Sequence, residues 1–325
     1  MEKKYSIGTV CLVGKSNVGK SSLINALIRE KVSIVSPKPQ TTRDNIRGVY
    51  TDDDSQIIFI DTPGLFKSDS RLGDAMNKGV REARDGADVV LVLVDGSKGI
   101  KEEDITFISS FEKFDNVILV VTKTDLTTFE KLYPHLDKVN KLAFLKDIVP
   151  ISSHKNRNLN VLLECIKKLL PKGTQKDLMF DADIFTNKSV KFMAGEIIRE
   201  KLLLFLDDEV PHGIAIHIYK WEEGYSLAKI YVDIICDKER HKPLIIGKKG
   251  SMLKKVGQSA RIDIEKMLGK QVYLELFVKV KENWKNNLDV LATLKEDNEE
   301  DYWFNFKKCY KSKIKDKISY EKRCF

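Results

Sequence analysis

The octapeptide Gly14-Lys15-Ser16-Asn17-Val18-Gly19-Lys20-Ser21 constrains this chain more than any other feature. It follows a short apolar run at residues 10–13. It opens a stretch whose apolar residues, Leu23, Ile24, Leu27 and Ile28, share one helical face. A GxxxxGK[ST] sequence between a strand and a helix is a phosphate cradle. Glycines let backbone N–H groups turn inward, and the helix N-terminus adds positive potential. Lys20 is placed to reach the β- and γ-phosphates, and the Ser21 hydroxyl, with Ser22 beside it, is placed at Mg²⁺. The surrounding sequence fits that reading. Apolar, β-branched runs recur at residues 57–60, 89–94, 117–121 and 148–151, with helical patterns between most of them. Such runs are strands buried on both faces, and their alternation with helices predicts a doubly wound, mostly parallel α/β sheet.

Three further motifs stand at strand ends. Asp61-Thr62-Pro63-Gly64 closes the second run, where a carboxylate faces the cradle and holds the Mg²⁺ shell, while the Gly64 N–H meets the γ-phosphate. Gln40-Thr41-Thr42-Arg43 lies in the loop before that strand, and Thr42 is the candidate to close over Mg²⁺ and γ-phosphate. Thr122-Lys123-Thr124-Asp125 closes the fourth run and fits [NT]KxD. The Asp125 carboxylate can accept two N–H bonds from guanine N1 and N2, a donor pair that adenine lacks, so the ligand is expected to be GTP. Ile151-Ser152-Ser153 resembles the loop that supports the base through its backbone. The expected catalytic set is Lys20, Thr42, Gly64 and Asn17. The expected metal ligands are Ser21, Thr42 and Asp61 for Mg²⁺, with Asn17 a candidate for K⁺.

Beyond Pro171-Lys172-Gly173 the alternation stops, and residues 173–188 read as a linker after a first domain at 1–172. Residues 189–287 then read helix–strand–strand–helix–strand, an α+β order. Within them Leu244-Ile245-Ile246-Gly247-Lys248-Lys249-Gly250-Ser251 carries an apolar pair, GxxG and a helix start, the pattern of a type II KH domain. Its glycines admit a nucleic-acid backbone, and Lys248 and Lys249 supply charge; Ile246, Gly247, Lys248, Lys249 and Gly250 form the expected RNA contact. Net charge is +8, and the last 24 residues carry eight basic against two acidic side chains, so a polyanion partner belongs towards the C-terminal half. Five scattered cysteines, none in a CxxC pair, argue against a disulfide framework and a zinc site. No apolar run is long enough to span a bilayer and no secretion signal opens the chain, so a cytoplasmic monomer is the expectation.

On these motifs the chain resembles the Era family of GTPases, which join a P-loop domain to a type II KH domain. The resemblance rests on residues 14–25 (GKSNVGKSSLIN), 39–43 (PQTTR), 61–65 (DTPGL), 72–78 (LGDAMNK), 196–203 (EIIREKLL), 209–211 (EVP), 245–255 and 279–284 (KVKENW), and covers residues 8 to about 286. It implies binding near the 3′ end of 16S ribosomal RNA in the 30S subunit, a role in small-subunit biogenesis, and some association with the inner face of the cell membrane. Departures are Thr122 for the family's Asn, Lys15-Ser16 for the usual Arg-Pro, and an extension at 288–325 that mixes acids, aromatics and lysines. Leu65 stands where Ras-like GTPases keep a water-positioning glutamine. This draws attention to Asn17, since potassium-activated relatives use an Asn there beside a monovalent cation. Two alternatives stay open at this level: a ribosome-assembly module that holds GTP without hydrolysing it, and a membrane-linked cell-cycle switch.

Overall fold

The computed structural model describes residues 3–64, 70–207 and 210–299. The chain divides into two compact units, residues 1–187 and 188–325.

In the first unit the elements follow as β1 (Tyr5–Gly14), α1 (Lys20–Ile28), β2 (Ile46–Thr51), β3 (Ser55–Asp61), α2 (Arg71–Asp85), β4 (Val89–Asp95), α3 (Glu102–Ser109), β5 (Val117–Thr122), α4 (Phe129–Val139), β6 (Leu145–Pro150), α5 (Leu159–Leu169) and the short β7 (Lys172–Gly173). The sheet order is β2-β3-β1-β4-β5-β6. Pairing is parallel except that β2 runs against β3, and β7 runs against the start of β1. Alternate residues of β1 explain the two layers. Val10 and Leu12 pack with α1 and α5, while Cys11 and Val13 pack with α2, α3 and α4. Both faces are therefore dry, which is why β3, β4 and β5 are unbroken apolar runs. Burial pushes the Cys11 thiol up to about 12, so it is an inert core residue.

The sequence reading missed β2. It also expected a linker at 173–188, and the structure corrects this. Residues 172–187 lie on the first unit: Lys172 and Gly173 pair with β1, Gln56 holds the backbone of Met179 and Phe180, and Phe185 accepts from the Val49 N–H. These attachments are made by the Gln56 side chain and by backbone groups far away in sequence, so no local pattern marks them.

The second unit contains α6 (Val190–Phe205), β8 (Ile214–Glu223), β9 (Leu227–Cys236), α7 (Lys242–Ile246), α8 (Ser251–Leu268), β10 (Gln271–Val280) and α9 (Leu288–Glu299). The sheet order is β10-β9-β8, with β9 parallel to β10 and antiparallel to β8. Ala228, Ile230, Val232 and Ile234 on one face of β9 pack with Ile197, Ile198 and Leu202 of α6 and with Val256, Ala260 and Ile264 of α8. Ser189 caps α6 by accepting from the Phe192 N–H at 3.0 Å. The expected 288–325 extension begins with α9, where Val290 is buried; its remainder, from residue 300, lies outside the described residues. No helix among the described residues is long and apolar enough to cross a membrane.

Trp284 closes the second unit: it is 1% exposed and its Nε1–H donates to the Gly213 carbonyl at 2.9 Å. Trp284→Ala removes that bond and leaves a cavity, at a cost of about 3–5 kcal/mol. Urea unfolding of this unit should shift to lower concentration, with GDP affinity of the first unit as the unchanged control.

Candidate functional site

The loop between β1 and α1 has left-handed backbone at Asn17 (φ 61°) and Gly19 (φ 105°). No side chain caps α1, so its first N–H groups are left for an anion. Val18 is buried and anchors the loop from beneath. Lys20 is 6% exposed, and its ammonium donates to the Gly14 and Lys15 carbonyls at 3.1 and 3.2 Å. Burial holds it below the ordinary lysine value, so a bound anion would be strongly favoured there. Lys15, by contrast, points away to Asp104 at 2.7 Å and Glu103 at 3.3 Å.

Asp61, at the end of β3, is fully buried. Its Oδ2 accepts from Ser21 Oγ at 2.7 Å, Ser33 Oγ at 2.7 Å and Thr42 Oγ1 at 3.4 Å, and Ser21 and Thr42 lie 3.0 Å apart. Its Oδ1 has no hydrogen-bond partner among the described residues. Burial raises its pKa, against the opposing pull of the three hydroxyls and Lys20. A buried carboxylate with an unsatisfied oxygen, ringed by hydroxyls, is a hard-oxygen set that suits Mg²⁺. The structure thus brings together Ser21, Thr42 and Asp61. It adds Ser33, which no motif announces: Asn25 holds its segment by accepting from the Val32 and Ser33 N–H groups and donating to the Ser33 carbonyl.

Gly64 packs on the phosphate loop so closely that a Cβ there would lie 2.7 Å from Ser16 Oγ and 2.9 Å from Ser16 Cα. Thr62 is turned inward, donating to the Leu12 carbonyl at 2.6 Å, and Pro63 is buried beside it. Leu65 lies outside the described residues. Asn17 donates through Nδ2 to the Pro37 carbonyl, tying the phosphate loop to the Gln40–Thr42 loop. A cleft of about 430 Å³ runs between these loops, lined by Asn17, Lys20, Ser21, Thr42, Gly64 and Lys123, with Ser16 and Ser22 at its wall.

At the base end, Lys123 donates to the Asn17 carbonyl and to Asp95 Oδ2, both at 2.7 Å. Burial raises the Asp95 pKa, but Lys123 and Ser97 outweigh it and the carboxylate stays below its ordinary range. Thr122 Oγ1 reaches the Val18 carbonyl at 2.7 Å and the Val94 carbonyl at 3.0 Å, so it braces the phosphate loop from β5. The Thr124 N–H bonds to the Ile151 carbonyl. Ser152 Oγ donates to Asp125 Oδ1 at 2.6 Å, and this bond lowers the Asp125 pKa. Ser153 is half-buried next to Ser152. Asp95, the last residue of β4, and the Ser152–Asp125 bond were not foreseen.

In the second unit, Gly247 and Gly250 have φ of 74° and 79°, and a Cβ on Gly250 would meet nothing within 4 Å, which leaves its backbone open to a ligand. Lys248 and Lys249 are exposed between them, and Ile246 is half-buried at the end of α7. Beside this loop lies a groove of about 890 Å³ between α8 and β10, lined by Lys254, Gln258, Arg261, Gln271 and Tyr273 among others. None of those five was singled out from the sequence.

The first unit is a guanine-nucleotide P-loop domain and the second is a KH domain. Matching family models agree: "50S ribosome-binding GTPase" over residues 9–123 and "KH domain" over residues 209–285. Among curated relatives, GTPase Era of Thermoanaerobacter sp. is 43% identical over 294 residues, covering 89% of this chain and 96% of that protein. GTPase Era of Clostridium botulinum is 41% identical over 292 residues, covering 89% and 98%. A crystal structure of Era with MgGDPNP and nucleotides 1506–1542 of 16S ribosomal RNA matches with TM-score 0.84 and 38% identity, over 89% of this chain and 98% of that one. Aquifex aeolicus Era bound to GDP and aluminium fluoride matches with TM-score 0.84, over 90% and 99%. The chain belongs to the Era family of GTPases.

Ser152→Ala removes the hydrogen bond that lowers the Asp125 pKa. GDP affinity should fall roughly tenfold, as expected for a charge-assisted bond. Asp125 must be ionised to accept from guanine, and its lowered pKa protects binding as pH falls. The acid limit of GDP binding should therefore move to higher pH in the variant. Fluorescent-GDP titrations across pH measure both; a coincident acid limit in variant and wild type would remove the assigned link.

Proposed function

We propose that this chain hydrolyses GTP in its first unit and, through its second, binds the 3′ region of small-subunit ribosomal RNA to assist 30S biogenesis. The observation that carries the nucleotide part is the convergence of Ser21, Thr42 and Asp61 on one oxygen set at the mouth of the Lys20 loop. The RNA part rests on the GxxG loop beside an open groove, and on the relative crystallised with a 16S fragment.

Mg²⁺ would be held by Ser21, Thr42 and Asp61, and would neutralise charge on the β- and γ-phosphates. Lys20 supplies a compact, desolvated cation to the same oxygens. The Gly64 N–H, held against Ser16, donates to the γ-phosphoryl group. Asp125 accepts from guanine while Lys123, bonded to the Asn17 carbonyl, shields the base. Leu65 offers no hydrogen bond to water, so the attacking water is oriented by backbone and by the charges around it. Asn17 is the candidate for a K⁺ ligand through Oδ1, because its Nδ2 already bonds Pro37 and fixes the amide in the cleft. GTPase rates in K⁺ should exceed those in Na⁺, and Asn17→Ala should remove the difference; equal wild-type rates would sink the K⁺ role.

RNA binding is expected to respond to the nucleotide. GTP holds the Thr42 and Gly64 segments against the phosphate loop, and their release after hydrolysis changes the surface the first unit presents. Lys248→Asp with Lys249→Asp should weaken binding of a 3′-terminal 16S fragment at least about tenfold, since two phosphate contacts become repulsive. Filter binding with GDPNP and with GDP checks both statements. A double variant that binds the fragment as wild type does would overturn the KH assignment.

A further inference from the structure

The β10-β9-β8 sheet has one face against α6 and α8. Its other face carries a row of aromatic rings. His217 and Tyr219 have centroids 6.5 Å apart, Tyr219 and Tyr231 are 6.2 Å apart, and Tyr231 and Tyr273 are 6.0 Å apart. The row crosses all three strands. Tyr219 is 44% exposed and Tyr273 47%. A bulge in β8 between Ile218 and Lys220 makes this possible: it inserts Tyr219 opposite no partner, so that Tyr219 and Lys220 both reach Tyr231.

Lysines accompany the rings. The Lys220 ammonium lies 5.2 Å from the Tyr231 centroid, and that of Lys279 lies 5.5 Å from the Tyr219 centroid. Acids on the same face hold them there: Glu222 pairs with Lys220 at 2.6 Å, and Asp233 with Lys279 at 2.6 Å. Hydroxyl and acid also pair at the far end, where Tyr273 donates to Glu275 at 2.7 Å.

Tyr273 connects this face to the groove. It stands on β10, the edge strand that walls the groove beside the GxxG loop, between Val272 and Leu274, which pack with α8. The aromatic row therefore begins on the strand that borders the groove and runs away from it across the opposite face of the sheet. A face of tilted, half-exposed rings with cations above them is a stacking platform for unpaired bases, whose phosphates can take over the lysines from their carboxylates.

We propose that the row Tyr273-Tyr231-Tyr219 is a second RNA subsite, which takes the single-stranded nucleotides that follow those held in the groove. This rests on the RNA-binding reading of the groove. It enlarges the footprint beyond the roughly four nucleotides of a GxxG groove. It also assigns recognition along the row to stacking, which tolerates any base.

The test uses the full-length chain and a nested set of single-stranded RNAs, trimmed stepwise from twelve to four nucleotides from either end of a 3′-terminal 16S segment. Wild type should gain affinity with each nucleotide beyond those in the groove. Tyr219→Ala with Tyr231→Ala should bind the shortest RNAs as wild type does, within about twofold, and lose the gain on the twelve-mer. A loss of about tenfold or more is expected, from one or two bases no longer stacked. Tyr219→Phe with Tyr231→Phe should keep the gain, which separates stacking from the hydroxyls. Lys248→Asp with Lys249→Asp should lose binding at every length, and failure of that control alone would fault the groove rather than the row. Unchanged length dependence in the alanine variant overturns the proposal and leaves the face to a protein partner. So does an equal loss at all lengths.

Discussion

A carboxylate sealed from water organises the first unit. Asp61 cannot be ionised in a dry core unless something answers its charge. Hydroxyls from α1, from Ser33 and from Thr42 meet at one of its oxygens, and Lys20 lies near. Three separate segments thus depend on one charge. What Asp61 binds through its open oxygen then sets how firmly Ser33 and Thr42 are held. A local change at a metal position is read by two loops at once, which is the physical requirement for a switch.

The second unit solves a different problem. It must present backbone and charge to a polymer without burying them. Gly247 and Gly250 give an uncluttered loop, and α8 and β10 give walls. Stability comes from the packing of β9 on α6 and α8 and from the Trp284 closure. The glycine loop carries little of the core, whereas α8 and β10 belong to both core and groove.

Much of this was legible in the sequence, for identifiable reasons. Parallel strands dry on both faces are continuous apolar runs, so residues 57–60, 89–94 and 117–121 announced β3, β4 and β5 within a residue or two. Thr42 was found because a motif fixed its place between Lys20 and Asp61. β2 was not found: it is an edge strand broken by Gly48, whose missing side chain leaves room for Ile28. Residues 173–187 looked like a linker because their attachment is made by Gln56 and Val49. Ser33 depends on the Asn25 clamp, and the aromatic row depends on strand register and a bulge. Both are properties of the folded chain, and neither leaves a periodic trace.

Thr122 carries a further consequence. Its hydroxyl has one proton and faces two carbonyls, those of Val18 and Val94. An asparagine amide has two N–H donors and could serve both together. With threonine, the phosphate loop is fastened to β5 by a single hydrogen that serves one carbonyl at a time. The loop's fastening to β5 is therefore shared in time between two anchors rather than doubled.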